Sequence, residues 1–88
     1  MIKVLLFGTK GCSKCEKQKE IFKHRLHDVL WEYIDVNDGG DETDVKLAYY
    51  EVSTELPYIV IENEDADILF SYSGMLAPRK LAEVLKNV

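Results

Sequence analysis

The stretch FGTKGCSKCEKQKEIF, residues 7–22, carries a Cys-x-x-Cys pair at the junction of two kinds of local structure. Upstream, residues 2–7 read IKVLLF, a near-continuous apolar run of the length and content expected of a central strand buried on both faces. Gly8 and Gly11 punctuate its end. Downstream, apolar Cys15, Ile21, Phe22, Leu26 and Val29 fall broadly on one side of a helix predicted over residues 13–27. Lys17, Lys19, Glu20 and Lys23 lie mostly outside. Cys12 therefore ends a strand and opens a helix.

That placement suits thiol chemistry. The thiolate is the reactive form, and a free thiol near pKa 8.5 is mostly protonated at neutral pH. At a helix N-terminus, unpaired N–H groups and the helix dipole favour negative charge. Lys10 and Lys14 flank the pair and add positive charge, while Glu16 opposes it. Cys12, ahead of the first turn, is expected to be exposed and to act as nucleophile. Cys15, on the apolar side, is expected to be buried and to resolve the mixed disulfide. Lys10 is the candidate helper; an exposed lysine without a role is the plainer reading.

Beyond this stretch, residues 30–36 read as a second strand, broken by residues 37–40. Acidic residues at 41–44 suit the start of a second helix, predicted to continue through Val52 and to stop before Pro57. Residues 58–61 form a third strand and residues 68–72 a fourth, joined through the polar ENEDAD segment. The last helix runs from about Pro78, well placed at a first helical position, with Leu81, Val84, Leu85 and Val88 facing inward. Ala77 is a poor N-cap. The order β-α-β-α-β-β-α requires a parallel pair at the start and an antiparallel hairpin near the end. It defines an α/β fold with one four-stranded mixed sheet flanked by helices.

At 88 residues, with 47% hydrophobic and 31% charged residues, the chain has the size and content of one folded domain, residues 1–88. The formal charge of −5 argues against binding a nucleic-acid backbone. Charge is unevenly spread: residues 1–25 hold seven of the eleven basic side chains and two of the sixteen acidic ones. No segment is apolar enough to act as an export signal or to cross a bilayer, so a cytoplasmic monomer is expected, without membrane contact. Two cysteines this close do not make a secreted disulfide scaffold; they point to redox or metal chemistry.

On Cys12-Ser13-Lys14-Cys15, Glu55-Leu56-Pro57 and Tyr72-Ser73-Gly74, together with the element order, the chain resembles a glutaredoxin or glutaredoxin-like redoxin of the thioredoxin-fold superfamily. The resemblance implies a thiol–disulfide oxidoreductase acting on protein or small-molecule disulfides. It also implies a cis Pro57 beside the dithiol and a Leu56 backbone that pairs with the substrate. Ser73 and Gly74 would complete the substrate site, with Tyr58 lining its groove. The residues alone give a different reading of Pro57, as a trans proline ending the second helix. No bound cofactor is implied beyond the Cys12–Cys15 redox-active disulfide; glutathione or thioredoxin reductase would supply electrons. The sequence departs from glutathione-using members, which typically carry Cys-Pro-Tyr-Cys and an aspartate after the glycine motif. Here Ser-Lys separates the cysteines, and Met75, Leu76 and Ala77 follow Gly74. Thioredoxins typically carry Trp-Cys-Gly-Pro-Cys, whereas Gly11 precedes Cys12. The Ser-Gly ending is closer to the small redoxins that donate electrons to ribonucleotide reductase.

Two other readings stand beside this one. Cys12, Cys15, His24 and His27 suggest a metal-binding protein, but nine residues along one helix separate Cys15 from His24 by roughly 13 Å, and metal–ligand bonds are far shorter. A redox-inert binding module on the same fold is the other. The segment DVNDGGDETDVK resembles a calcium loop but places Gly39 at a ligand position and Lys46 where a bidentate glutamate is needed. The aromatics Phe7, Trp31, Tyr33, Phe70 and Tyr72 read as core or sheet-face residues, and Tyr49 and Tyr50 as structural.

Overall fold

A computed structural model describes residues 1–37 and 40–88. Its elements are β1 (Ile2–Gly8), α1 (Ser13–Arg25), β2 (Leu30–Asp35), α2 (Asp41–Tyr49), β3 (Tyr58–Asn63), β4 (Ile68–Ser73) and α3 (Pro78–Asn87). The order is the one predicted. The strands form one sheet in the order β2-β1-β3-β4. β1 pairs parallel to β2 and antiparallel to β3, and β3 forms the antiparallel hairpin with β4.

β1 sits centrally, which explains its unbroken apolar sequence. Val4 and Leu6 join Phe22, Leu26, Ile59, Ile61 and the α3 residues Leu81 and Val84 in one buried cluster. Leu5 and Phe7 join Ile34, Tyr50 and Val60 in a second. Within the second cluster lies a polar contact: the Tyr50 hydroxyl donates to the buried Glu62 carboxylate.

Three details differ from the sequence reading. α1 ends at Arg25, because Leu26 leaves helical geometry while its N–H still reaches Phe22 O at 2.8 Å. α2 ends at Tyr49 instead of running through Val52. Glu51 adopts φ +50°, its N–H bonds Ala48 O at 3.3 Å, and the Val52 N–H reaches back to Leu47 O at 3.1 Å. That pair of bonds is a Schellman stop, so Pro57 does not end the helix. Val88 lies beyond α3 and is 42% exposed, not inward-facing. Ala77 does occupy the α3 N-cap position, without a side-chain cap bond. Part of the 37–40 break and the Gly39 position of the calcium-loop reading fall outside the described residues. Lys46 pairs with Glu32 at 3.5 Å.

Candidate functional site

The chain leaves β1 at Gly8 and turns through Thr9–Cys12, where the Cys12 N–H bonds Thr9 O at 3.4 Å. Gly11 takes φ +81° within this turn, and a Cβ there would meet nothing within 4 Å, so its glycine serves conformation and not space. Cys12 is the N-cap of α1: its carbonyl accepts from the Glu16 N–H at 3.1 Å, and its Sγ accepts from the Cys15 N–H at 3.2 Å. The sulfur thus takes the place of the usual side-chain oxygen at a helix N-terminus. Cys12 and Cys15 form a disulfide with Cα atoms 5.2 Å apart. Cys15 is fully buried; Cys12 is half-buried, less open than the sequence suggests.

Packing over Gly8 is close. A Cβ there would lie 3.0 Å from Cys15 Cβ and 2.8 Å from the Tyr33 hydroxyl oxygen. The missing side chain lets both groups close over the strand. Tyr33 is placed by its register opposite Leu6, and the Lys19 ammonium lies 4.5 Å from its ring centroid. Burial, and then the charges of Asp35 and Glu16, raise the Tyr33 phenol above its ordinary pKa.

Sheet register brings the remaining candidates to the same end of the molecule. Tyr58 lies opposite Phe7 on one side and Ser73 on the other. The Leu56–Pro57 peptide bond is cis, as the resemblance implied. The Gly74 N–H donates to Pro57 O at 2.8 Å, and Ser73 Oγ donates to Glu55 O at 2.9 Å, so these two segments are tied together. Leu56 and Thr9 line a groove of about 360 Å³ with Val36, Leu47 and Val52. Tyr58 is half-buried, with its ring 6.3 Å from that of Phe7, so part of its surface belongs to the core. Lys10 is exposed, and no ion pair among the described residues includes it.

The sequence reading missed Gln18. It is fully buried; Nε2 donates to Leu76 O at 3.1 Å and Oε1 accepts from Leu76 N at 2.7 Å. This pair of bonds fastens α1 to the segment just after Gly74. The signal was present: positions 15, 18, 22 and 26 lie on one helical stripe. Among the described residues, no three of His, Cys, Asp and Glu converge as a metal site. His24 is exposed beside Glu20, at 3.7 Å, and His27 lies beyond the end of α1. No helix among them is long and apolar enough to cross a membrane.

Solved structures share this arrangement over nearly the whole chain. Thioredoxin-2 of the malaria parasite, described as a component of its protein secretion machinery, superposes with a TM-score of 0.77 at 17% identity, covering 100% of this chain and 84% of that one. The fold is that of thioredoxin. A mutant thioredoxin from Halobacterium salinarum gives 0.80 at 17% identity, over 98% and 73% of the two chains. A thioredoxin-fold protein from Helicobacter pylori gives 0.81 at 19% identity, over 97% and 66%. No protein-family model matches the sequence, and no curated protein matches it in sequence. The structural likeness therefore establishes the thioredoxin fold, and the finer glutaredoxin reading rests on the sequence motifs.

Proposed function

We propose that this chain is a glutaredoxin-like thiol–disulfide oxidoreductase that reduces disulfides of proteins or small molecules. The observation that carries the reading is the Cys12–Cys15 disulfide at the start of α1, with the Cys12 sulfur capping the helix. In the reduced state the same N–H and the helix dipole favour a Cys12 thiolate. That thiolate attacks one sulfur of a substrate disulfide. A Cys12–substrate S–S bond forms, the substrate S–S bond breaks, and the leaving thiolate takes a proton from water. Cys15 then gives up its proton and attacks Cys12 Sγ. The Cys12–Cys15 bond forms, the second substrate thiolate leaves, and two electrons have passed to the substrate.

The cis Pro57 segment, held by Gly74 and Ser73, supports a substrate chain running alongside Leu56 in extended form. Lys10 supplies positive charge nearby. Electrons return from thioredoxin reductase or glutathione, with no bound cofactor. The Ser73-Gly74 ending supports a redoxin of the kind that donates electrons to ribonucleotide reductase.

The test is the equilibrium of the Cys12–Cys15 pair against glutathione and, separately, against thioredoxin, with Cys12→Ser as control. A reversible two-electron couple absent from the control is expected, and the partner that reduces the disulfide faster on mixing indicates the donor. Absence of any reversible couple refutes the proposal.

A further inference from the structure

Resolution of a mixed disulfide requires Cys15 as a thiolate, yet Cys15 is fully buried. Burial disfavours a thiolate unless a hydrogen-bond donor or positive charge meets it. The Cys15 N–H already donates to Cys12 Sγ, so the Cys15 sulfur needs another donor. One group is placed to serve. Tyr33 Oη and Cys15 Cβ both close on the point where Gly8 lacks a side chain, at 2.8 and 3.0 Å from it. Their separation therefore cannot exceed the sum of those two distances. Among the described residues the Tyr33 hydroxyl has no hydrogen-bond partner, so its proton is free to be given.

Resting on the oxidoreductase reading above, the geometry points to the Tyr33 hydroxyl as the donor that holds the Cys15 thiolate during resolution. When Cys15 Sγ is released from Cys12, it swings about a Cβ already packed against Gly8, beside the phenol. The Tyr33 O–H donates and keeps its proton. The Cys15 proton leaves to water, the thiolate sulfur attacks Cys12 Sγ, and the substrate thiolate departs.

The surrounding charges fix this role as a donor and not a base. Burial together with Asp35 of β2 and Glu16 of α1 raises the Tyr33 pKa, so the phenol stays protonated through the neutral range. Lys19 of α1 lies over the ring face. Lys10 and Lys14, on the turn and first helical residues, are exposed to solvent. At the hydroxyl, β1 presents Gly8, which carries neither side chain nor charge. No carboxylate is among the three heavy atoms nearest to the Gly8 position, two of which belong to Tyr33 and one to Cys15.

The experiment is a stopped-flow reaction of the reduced protein with 5,5′-dithiobis(2-nitrobenzoate), followed by release of the coloured thiolate from pH 5 to 9. The first equivalent reports Cys12 attack; the second reports resolution by Cys15. In Tyr33→Phe the first phase is expected to keep its pH profile. The second is expected to shift about one pH unit upward, which slows it roughly tenfold at pH 7. Gly8→Ala, which places a methyl group 2.8 Å from the hydroxyl oxygen and so displaces it, is expected to shift the same phase in the same direction with both side chains present. Second-phase profiles equal to wild type in a folded Tyr33→Phe protein overturn the Tyr33 role and leave the oxidoreductase reading intact. A wild-type protein with no second phase overturns both.

Discussion

Replacing Gln18 with leucine tests how firmly the fold holds the segment that follows Gly74. The side chains are of comparable size, so the change removes two hydrogen bonds without opening a large cavity. It leaves the Leu76 N–H and C=O, both buried, without partners. An orphaned buried polar group costs about 1–3 kcal/mol, and added apolar burial by leucine offsets part of that, for an expected net loss of about 2–4 kcal/mol. In a domain of this size each kcal/mol lowers the melting temperature by about 4–8 °C, so a fall of roughly 10–30 °C is expected. Urea unfolding gives the free energy directly, through a lower midpoint at unchanged slope. Amide hydrogen exchange supplies the local readout. The Leu76 and Gly74 amides are expected to lose protection by more than the core amides of β1 do. A melting temperature within about 3 °C of wild type, with Leu76 still protected, would mean that the Gln18 bonds do not hold this segment.

Two further predictions concern the second core cluster and the loop at Gly74. Burial first, then the Glu62 hydrogen bond and charge, raises the Tyr50 pKa in the folded protein. Its contribution to stability is therefore complete below the unfolded value of about 10 and is lost as pH rises above it. Tyr50→Phe is expected to lower stability by about 1–3 kcal/mol at pH 8, by leaving Glu62 without its donor, and to flatten the decline above pH 10. Urea midpoints at pH 8 and pH 11 check both halves. Gly74 has φ +117°, yet a Cβ there would meet only Tyr72 Cε2 at an ordinary 3.6 Å. Gly74→Ala should thus cost about 1–3 kcal/mol through backbone strain alone, measurable by thermal unfolding, with no repacking of Tyr72.

The architecture was legible because its strongest signals are local. The apolar run of β1, the glycines after it and the ENEDAD turn each specify their element without help from distant residues. Where the sequence misled, the cause was a residue in an atypical role. The end of α2 was unreadable because Glu51 takes the left-handed position at which glycine or asparagine would have announced a stop. Gln18 escaped notice because an amide within an apolar stripe reads as surface until its partner, 58 residues away, is known. Pro57 read as trans from its neighbours; only family resemblance indicated the cis bond. The dithiol itself was plain, whereas the approach of Tyr33 to Cys15 depends on the β1–β2 register and on an empty position at Gly8.

The cross-link between Cys12 and Cys15 closes a ring within one turn, at a sequence separation of three. On the loop-entropy account so short a ring restrains the unfolded chain by about 2 kcal/mol, less than half the effect of a hundred-residue loop. The two packed clusters on either side of β1, formed by residues far apart in sequence, carry the fold whether or not that ring is closed. Opening it alters a seam at one end of the molecule and leaves the frame standing.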